Sequence, residues 1–550
     1  MSIKVSVDGV VKEIGGNVCF GELLSDEYKK REVPIVLAKQ NNKYYELSSL
    51  VKEEGDISFV DITEKAGMDT YKRTAQFIFI KAVLDLFSDA KITIEHSINK
   101  GIYGEIHKSS PLTEEELLLI KKRMDQIIAS DIKIEKKSVE KVMAQKVFDA
   151  YGMEDKLRLL KYVESDELKV YKIEDRYDYF YGEMAYSTGA LKNYDLLFYN
   201  PGFIIRLPRT KTPTELPVFK EQKKLYSVFK ETANWLHILG VADVGALNDS
   251  RENHEIDEII RVSEALHEKK IAHIADKFCE KKDAKIILVA GPSSSGKTTF
   301  TKRLSVQLKV NGLMPVMISL DDYFVSRDKT PLDKEGKPDF ECLEALDLEL
   351  FNENLSDLLE GKTVEIPSFN FKTGQREWIG NKISLEGDRV LLVEGIHGLN
   401  NKLTSSIDDK YKFKVYISAL TQLNLDDHNK ISTTDVRKIR RIVRDSLSRG
   451  YNAEKTLSMW PSIKRGEEKN IFVFQEEADV MFNSTLVYEL AVLKNLALEE
   501  LEKIDVDSEV YYEAKRLKTF LNFFEDIDFD SVPKNSILRE FIGGSCFYEY

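Results

Sequence analysis

Residues 286–298 limit what this chain can fold into more than any other segment. Ile286-Ile287-Leu288-Val289-Ala290 is an unbroken apolar run, the pattern of a parallel strand covered on both faces. It runs into Gly291-Pro292-Ser293-Ser294-Ser295-Gly296-Lys297-Thr298, a complete G-x-x-x-x-G-K-T loop. Thr299 to Lys309 follows, with Phe300, Leu304 and Leu308 at helical spacing. Strand, loop and helix in that order specify an α/β unit with a phosphate-binding turn. Small residues let backbone N–H groups wrap a phosphate, and the helix N-terminus adds favourable partial charge. The expected nucleoside-triphosphate contacts, ATP or GTP, are Gly291, Pro292, Ser293, Ser294, Ser295, Gly296, Lys297, Thr298 and Thr299. Lys297 can reach the β/γ-phosphates, and the Thr298 hydroxyl can bind Mg2+.

A chain of 550 residues is too long for one hydrophobic core and implies several domains. Its net charge of −13 argues against a surface built to coat nucleic acid. Cys19, Cys279, Cys342 and Cys546 lie at no metal-site spacing. They imply neither a zinc site nor a disulfide framework, and fit a reducing, cytoplasmic setting. No apolar signal core opens the sequence, and no apolar run is long enough to span a bilayer, so no membrane partner is expected.

Two further strand-like runs end in carboxylates. Val316-Met317-Ile318-Ser319-Leu320 leads to Asp321-Asp322-Tyr323, and Arg389-Val390-Leu391-Leu392-Val393 leads to Glu394-Gly395. Ligands of open α/β sheets sit at the carboxyl ends of strands. Asp321 is therefore expected to take a proton from an attacking hydroxyl. Glu394 is expected to hold Mg2+ through water. Arg437, Arg440, Arg441 and Arg444 fall at i, i+3, i+4 and i+7, which puts four guanidinium groups on one helical face. That face is expected to close over a triphosphate and stabilise developing charge. Gly450 and the polar stretch 452–470 read as a mobile lid.

Together with the phosphate loop, four segments carry a resemblance: Ser-Leu-Asp-Asp-Tyr-Phe (319–324), Val-Glu-Ile-Pro-Ser-Phe-Asn-Phe (364–371), Val-Glu-Gly-Ile (393–396) and Arg-Arg-Ile-Val-Arg-Asp (440–445). In this order they resemble the uridine kinase and phosphoribulokinase family, over about residues 285–505. The resemblance implies ATP-dependent phosphorylation of a small-molecule hydroxyl. It implies Asp321 as catalytic base beside Lys297 and Arg444, Glu394 as the magnesium-associated acid, and Arg444 and Arg449 as lid arginines on ATP. Its acceptor contacts fall on Asp321, Tyr323, Glu341, Phe369 and Arg441. The acceptor pattern departs from uridine kinase at several positions. Phe369 replaces a Tyr, Gly374 a base-reading His, Glu341-Cys342-Leu343 an Asp-His-Pro run, Tyr451 an Arg and Met459 a Gln. A site that reads its substrate with buried polar groups rejects analogues lacking the matching groups, so uridine itself is not assured as the acceptor.

Upstream, Ile3-Lys4-Val5-Ser6-Val7 alternates as a strand and meets an Asp8-Gly9 turn. Lys72 to Ser88 reads as a helix, and Ile92–Ile94 with Ile102–Ile106 as a strand pair. Thr113 before Glu114, Glu115 and Glu116 opens another helix. Residues 1–62 resemble a TGS domain of β-grasp type, and 63–235 the editing domain of threonyl-tRNA synthetase. The editing motif His-x-x-x-His falls on Arg73 and Phe77, and Cys-x-x-x-His on Phe180 and Met184. With all four ligands replaced, neither metal binding nor hydrolysis is expected there.

The expected architecture is multidomain α/β and α+β. It comprises a β-grasp unit (1–62), an editing-like α+β domain (63–235), a helical linker (236–283), a P-loop kinase with a parallel sheet flanked by helices (284–505) and a C-terminal extension (506–550). The expected activity is ATP- and Mg2+-dependent transfer to a nucleoside-like acceptor. The alternative is an RNA- or translation-associated protein that uses ATP as a switch, which the acidic charge disfavours. A homo-oligomer is compatible with the sequence, and GTP remains open as a donor.

Overall fold

The computed structural model describes residues 2–333, 336, 338–370, 373–421 and 423–548. Phe371, the last residue of the 364–371 motif, lies outside them. Five parallel strands form the sheet that carries the phosphate loop. Their spatial order is Met314–Ser319, Arg389–Glu394, Ile286–Ala290, Lys412–Ser418 and Val480–Asn483. Every residue of Ile286–Ala290 is buried, as its unbroken apolar run requires. Ile287 and Val289 face one core with Phe300 and Leu304 of the loop helix, Lys297–Val310. Ile286 and Leu288 face a second with Phe351 and Leu355 of the helix Leu348–Leu359. From the central strand the chain steps one way to Met314–Ser319 and Arg389–Glu394, then the other way to Lys412–Ser418 and Val480–Asn483. The crevice at the carboxyl ends beside that switch is where open sheets hold ligands.

The charged helix expected as a linker is Ile256–Glu280, and it does not bridge open space. Its apolar residues Ile271, Ile274, Ala275 and Phe278 join the same core as the sheet. Arg303 of the loop helix pairs with its Glu264 and Glu268 at 3.3 and 2.7 Å. The helical stretch also starts earlier than expected, with Lys223–Leu239. The aromatic tail helix, Tyr511–Leu521, contributes Leu517 and Phe520 to this core.

The first residues form a mixed sheet ordered Val10–Gly15, Ser2–Val7, Gly55–Asp61, Ile35–Gln40, Lys43–Glu46, with Ser2–Val7 parallel to Gly55–Asp61. The helix Lys65–Leu86 follows, longer at its start than its periodicity indicates. The strand pair is Lys91–Ile98 with Gly101–His107, in a sheet completed by Asp195–Tyr199 and Gly202–Arg206. Thr113 caps Glu114–Ala129 through a reciprocal bond with Glu116. Among the described residues no helix is long and apolar enough to cross a membrane.

The two halves are tied by a buried polar knot. The hairpin Asn424–Asp426/Asn429–Lys430 projects from the parallel-sheet unit into the N-terminal half. Lys156 Nζ stands 2.8 Å from Asp426 and 3.3 Å from Asp178, all three almost wholly buried. Asp178 also meets His428 Nδ1 at 2.7 Å, and Ile94 N–H donates to the Asp427 carbonyl at 2.7 Å. Removing one partner of a buried ion set leaves an uncompensated charge, at a cost of about 3–5 kcal/mol. Lys156→Ala is expected to destabilise the chain by that amount, read as a fall in the thermal or denaturant midpoint. A midpoint equal to wild type would mean the knot carries no weight.

Candidate active site

The phosphate loop is set by two close backbone approaches. A Cβ on Gly291 would overlap the Ile417 carbonyl oxygen and stand 2.9 Å from the Ile417 Cγ2 and Ser295 Oγ. Gly296, at φ 82°, starts the loop helix in the left-handed region. The resulting turn directs backbone N–H groups into the crevice. The hydroxyls of Ser294 and Ser295 are buried without a hydrogen-bond partner. Lys297 Nζ folds back onto the Gly291 and Pro292 carbonyls at 2.9 and 3.1 Å. Burial lowers its pKa, while Glu394, Glu540, Asp321 and Glu467 pull it back up. Those four carboxylates define the electrostatic surroundings of the loop lysine.

Two of them were expected. Glu394 ends the strand next to the loop strand, and Thr298 Oγ1 donates to its Oε1 at 3.4 Å. Its Oε2 is buried without a partner. Burial pushes the Glu394 carboxyl up to about 7, with Glu540 and Asp321 adding and Lys297 and Thr298 opposing. A hydroxyl and an orphaned carboxylate oxygen side by side are the donors Mg2+ takes when substrate phosphate and water complete its shell. Asp321 follows the outer strand, open to the cleft. The cleft walls desolvate its carboxyl and raise its pKa, while Lys297 and Arg449 lower it.

The arginine helix, Thr433–Ser448, differs from the expected single phosphate-facing stripe. Arg440 is fully buried and spent on structure: it donates to the Ser484 carbonyl at 2.8 Å and pairs with Glu489 at 2.5 Å. Arg437 donates to the Ser293 carbonyl at 2.8 Å and pairs with Glu467. Arg441 donates to Ser293 Oγ at 2.6 Å. Arg437, Arg440 and Arg441 buttress the loop from behind, and Arg444 contacts Asp445 instead. The reason is helical geometry: i and i+7 share a face, but the loop and the strand-end residues after Asn483 pack against that same face. Arg441, Arg444 and Arg449 are gathered by buried Asp445 at 3.0, 2.8 and 3.7 Å. The stretch expected as a lid forms a helix, Ala453–Asn470, carrying Pro461.

Among the acceptor candidates, Glu341 lies in the cleft under the lid helix, with Gly466 packed on its Cβ and Cγ. Burial, then Glu467, raises its pKa to about 7, opposed by Arg441 and Lys297. Phe369 lies beside Phe324, their ring centroids 5.6 Å apart, and its N–H donates to Asp322 at 3.3 Å. Phe340, 40% exposed, extends that aromatic wall. Tyr323 is not brought to the cleft. It is wholly buried, edge-on to Phe351, and its hydroxyl accepts from Asn354 at 3.0 Å. Sequence reasoning missed Asp445, Glu467 and Glu540. Asp445 had a local signal, four residues after Arg441; the other two arrive from distant segments and had none.

A parallel sheet with a phosphate loop at its central strand and carboxylates at the ends of the next two strands on one side defines the class of P-loop proteins. The sequence matches the Phosphoribulokinase / Uridine kinase family over residues 286–491. A uridine kinase of Macrococcus caseolyticus is 32% identical over 180 residues, which are 33% of this chain and 78% of that protein. A uridine kinase of Staphylococcus aureus is 29% identical over 180 residues, 33% of this chain and 77% of that protein. A solved structure described as a possible uridine kinase from Bacillus stearothermophilus is 18% identical and aligns with 39% of this chain and 100% of its own, at a TM-score of 0.26. The chain belongs to the phosphoribulokinase and uridine kinase family.

The raised Glu394 pKa has a stability consequence. The folded carboxyl keeps its proton to about pH 7, above its ordinary 4.5. The folded state therefore binds more protons than the unfolded state across that window, and the group's contribution to stability falls as pH rises through it. Glu394→Gln removes the effect. Its melting temperature relative to wild type should be higher at pH 8 than at pH 5; a difference independent of pH would refute the burial argument.

Proposed function

We propose that this chain is an ATP- and Mg2+-dependent phosphotransferase acting on a hydroxyl of a small molecule, a nucleoside or a related sugar. The observation that carries the reading is the meeting of Lys297, Thr298, Glu394 and Asp321 at the carboxyl ends of three adjacent parallel strands. Phosphoryl transfer needs positioning and charge stabilisation more than covalent chemistry, and this set supplies both. The loop N–H groups from Gly291 to Thr299 and the Lys297 ammonium bind and orient the donor phosphates. Thr298 and Glu394 would hold Mg2+, which supplies neutralising charge when bound. Arg444 and Arg449, oriented by Asp445, face the charge that develops in transfer. Asp321, whose carboxyl pKa is raised by desolvation and opposed by Lys297 and Arg449, takes the proton of the attacking hydroxyl at its carboxylate oxygen. The helix Ala453–Asn470 excludes water from the cleft.

The acceptor sits between Asp321, Glu341, Arg441 and the aromatic wall of Phe324, Phe340 and Phe369. Flat apolar rings suit stacking against a base or the apolar face of a sugar. Gly374 offers no side-chain reader at its position. This favours a nucleoside or sugar read differently from uridine.

ADP release with Mg·ATP, measured across nucleosides, ribose sugars and a blank without acceptor, tests the reading. Acceptor-dependent release is expected, and release equal in the blank would sink it. Asp321→Asn should lower kcat by about 10²–10⁴ and leave ATP affinity near wild type. Near-normal turnover in that variant would remove Asp321 as the base.

A further inference from the structure

Two backbone donors of the phosphate loop region already hold carboxylates of this chain. Ser293 N–H donates to Glu467 Oε1 at 2.8 Å, and Thr299 N–H, in the first turn of the loop helix, donates to Glu540 Oε2 at 3.0 Å. These are N–H groups that cradle phosphate in a loop of this kind. A carboxylate offers them the same charged oxygen acceptors. Glu467 belongs to the lid helix and is part of the site described above. Glu540 comes from the tail, which the proposed chemistry does not use.

The segment around Glu540 is built to hold it there. Ile537, Leu538 and Phe541 are buried in the core beside the sheet. Ile537 lies directly over Gly296, where no side chain would fit between them. The Arg440 guanidinium stands over the Phe541 ring at 4.9 Å. Past Gly543 and Gly544, at φ 81° and 69°, the chain turns back and the Tyr548 hydroxyl meets Thr299 Oγ1 at 2.7 Å. The backbone is thus anchored by apolar side chains, while the groups touching the loop sit at the ends of flexible arms. Glu540 is itself 7% exposed, and a change of its side-chain rotamer is what vacates the Thr299 N–H while the backbone stays anchored.

We propose that Glu540 is a built-in occupant of the phosphate site: its carboxylate stands where a nucleotide phosphate binds and must swing out for the nucleotide to enter. The inference rests on the phosphate-loop reading above. A carboxylate and a phosphate cannot share one N–H donor, and two like charges at that spacing repel. Nucleotide affinity is therefore reduced by the fraction of time the contact is closed. A permanent helix cap at Thr299, which also satisfies an otherwise unbonded first-turn donor, would instead stay in place when nucleotide binds.

Calorimetric binding of Mg·ATP to the full chain, wild type against Glu540→Gln, separates the two. Gln keeps the length and an acceptor oxygen but removes the charge. Affinity is expected to rise about tenfold, as when an occupant present about nine-tenths of the time is released. Equal or weaker affinity in Glu540→Gln overturns the proposal. Glu540→Ala gives a second reading: with the carboxylate removed altogether, Mg·ATP should again bind more tightly than to wild type, and equal or weaker affinity overturns the proposal. Binding absent from wild type and Glu540→Gln alike would overturn the phosphate-loop reading, and the proposal with it.

Discussion

One close approach organises the molecule: the Cα of Gly291 beside the carbonyl of Ile417. It pins the end of the central strand to its neighbour and leaves no room for a side chain. The chain must then turn sharply, and Gly296 in the left-handed region completes the turn into the loop helix. The loop N–H groups, Lys297 and the Thr298 hydroxyl all inherit their directions from that turn. The burial of every residue of Ile286–Ala290 makes the platform stiff, since a close-packed core yields little to local strain.

Around this turn the charges are arranged in two layers. The outer layer is exchangeable: Lys297 rests on backbone carbonyls, and Asp321, Glu341 and Glu394 are carboxyls raised by burial and held in check by the lysine and nearby arginines. The inner layer is fixed: Arg440 with Glu489, Arg437 with Glu467, and Asp445 gathering three arginines. Buried charges without partners are expensive, so the inner pairs hold the arginine helix in one position. The outer groups can then respond to a ligand without collapse of the scaffold.

The N-terminal half bears on this site through the hairpin it grips. The knot of Lys156, Asp178, Asp426 and His428 fixes residues 424–430, and Ser432 immediately afterwards caps the arginine helix through the Thr434 N–H. The two halves are thereby coupled at the base of the helix that buttresses the phosphate loop, although no residue before 286 was placed in the chemistry.

The sequence by itself determined the parallel strand, the phosphate turn, the loop helix and the strand-end carboxylates Asp321 and Glu394. Each is encoded locally, by an apolar run or by residue spacing within one segment. The capped helix after Thr113 and the hairpin strands were legible for the same reason. Tertiary structure alone decided which arginines face the cleft, because the period of a helix defines a face but not what packs against it. It sent Tyr323 into the core, where Asn354 and Phe351 claim it, although its neighbour Asp321 faces the cleft. It also folded the charged helix Ile256–Glu280 onto the loop helix rather than leaving it as a connection. Finally, it brought Glu467 and Glu540 to the loop from far along the chain. A carboxylate distant in sequence carries no pattern that points to its partner, and only the folded core sets that pairing.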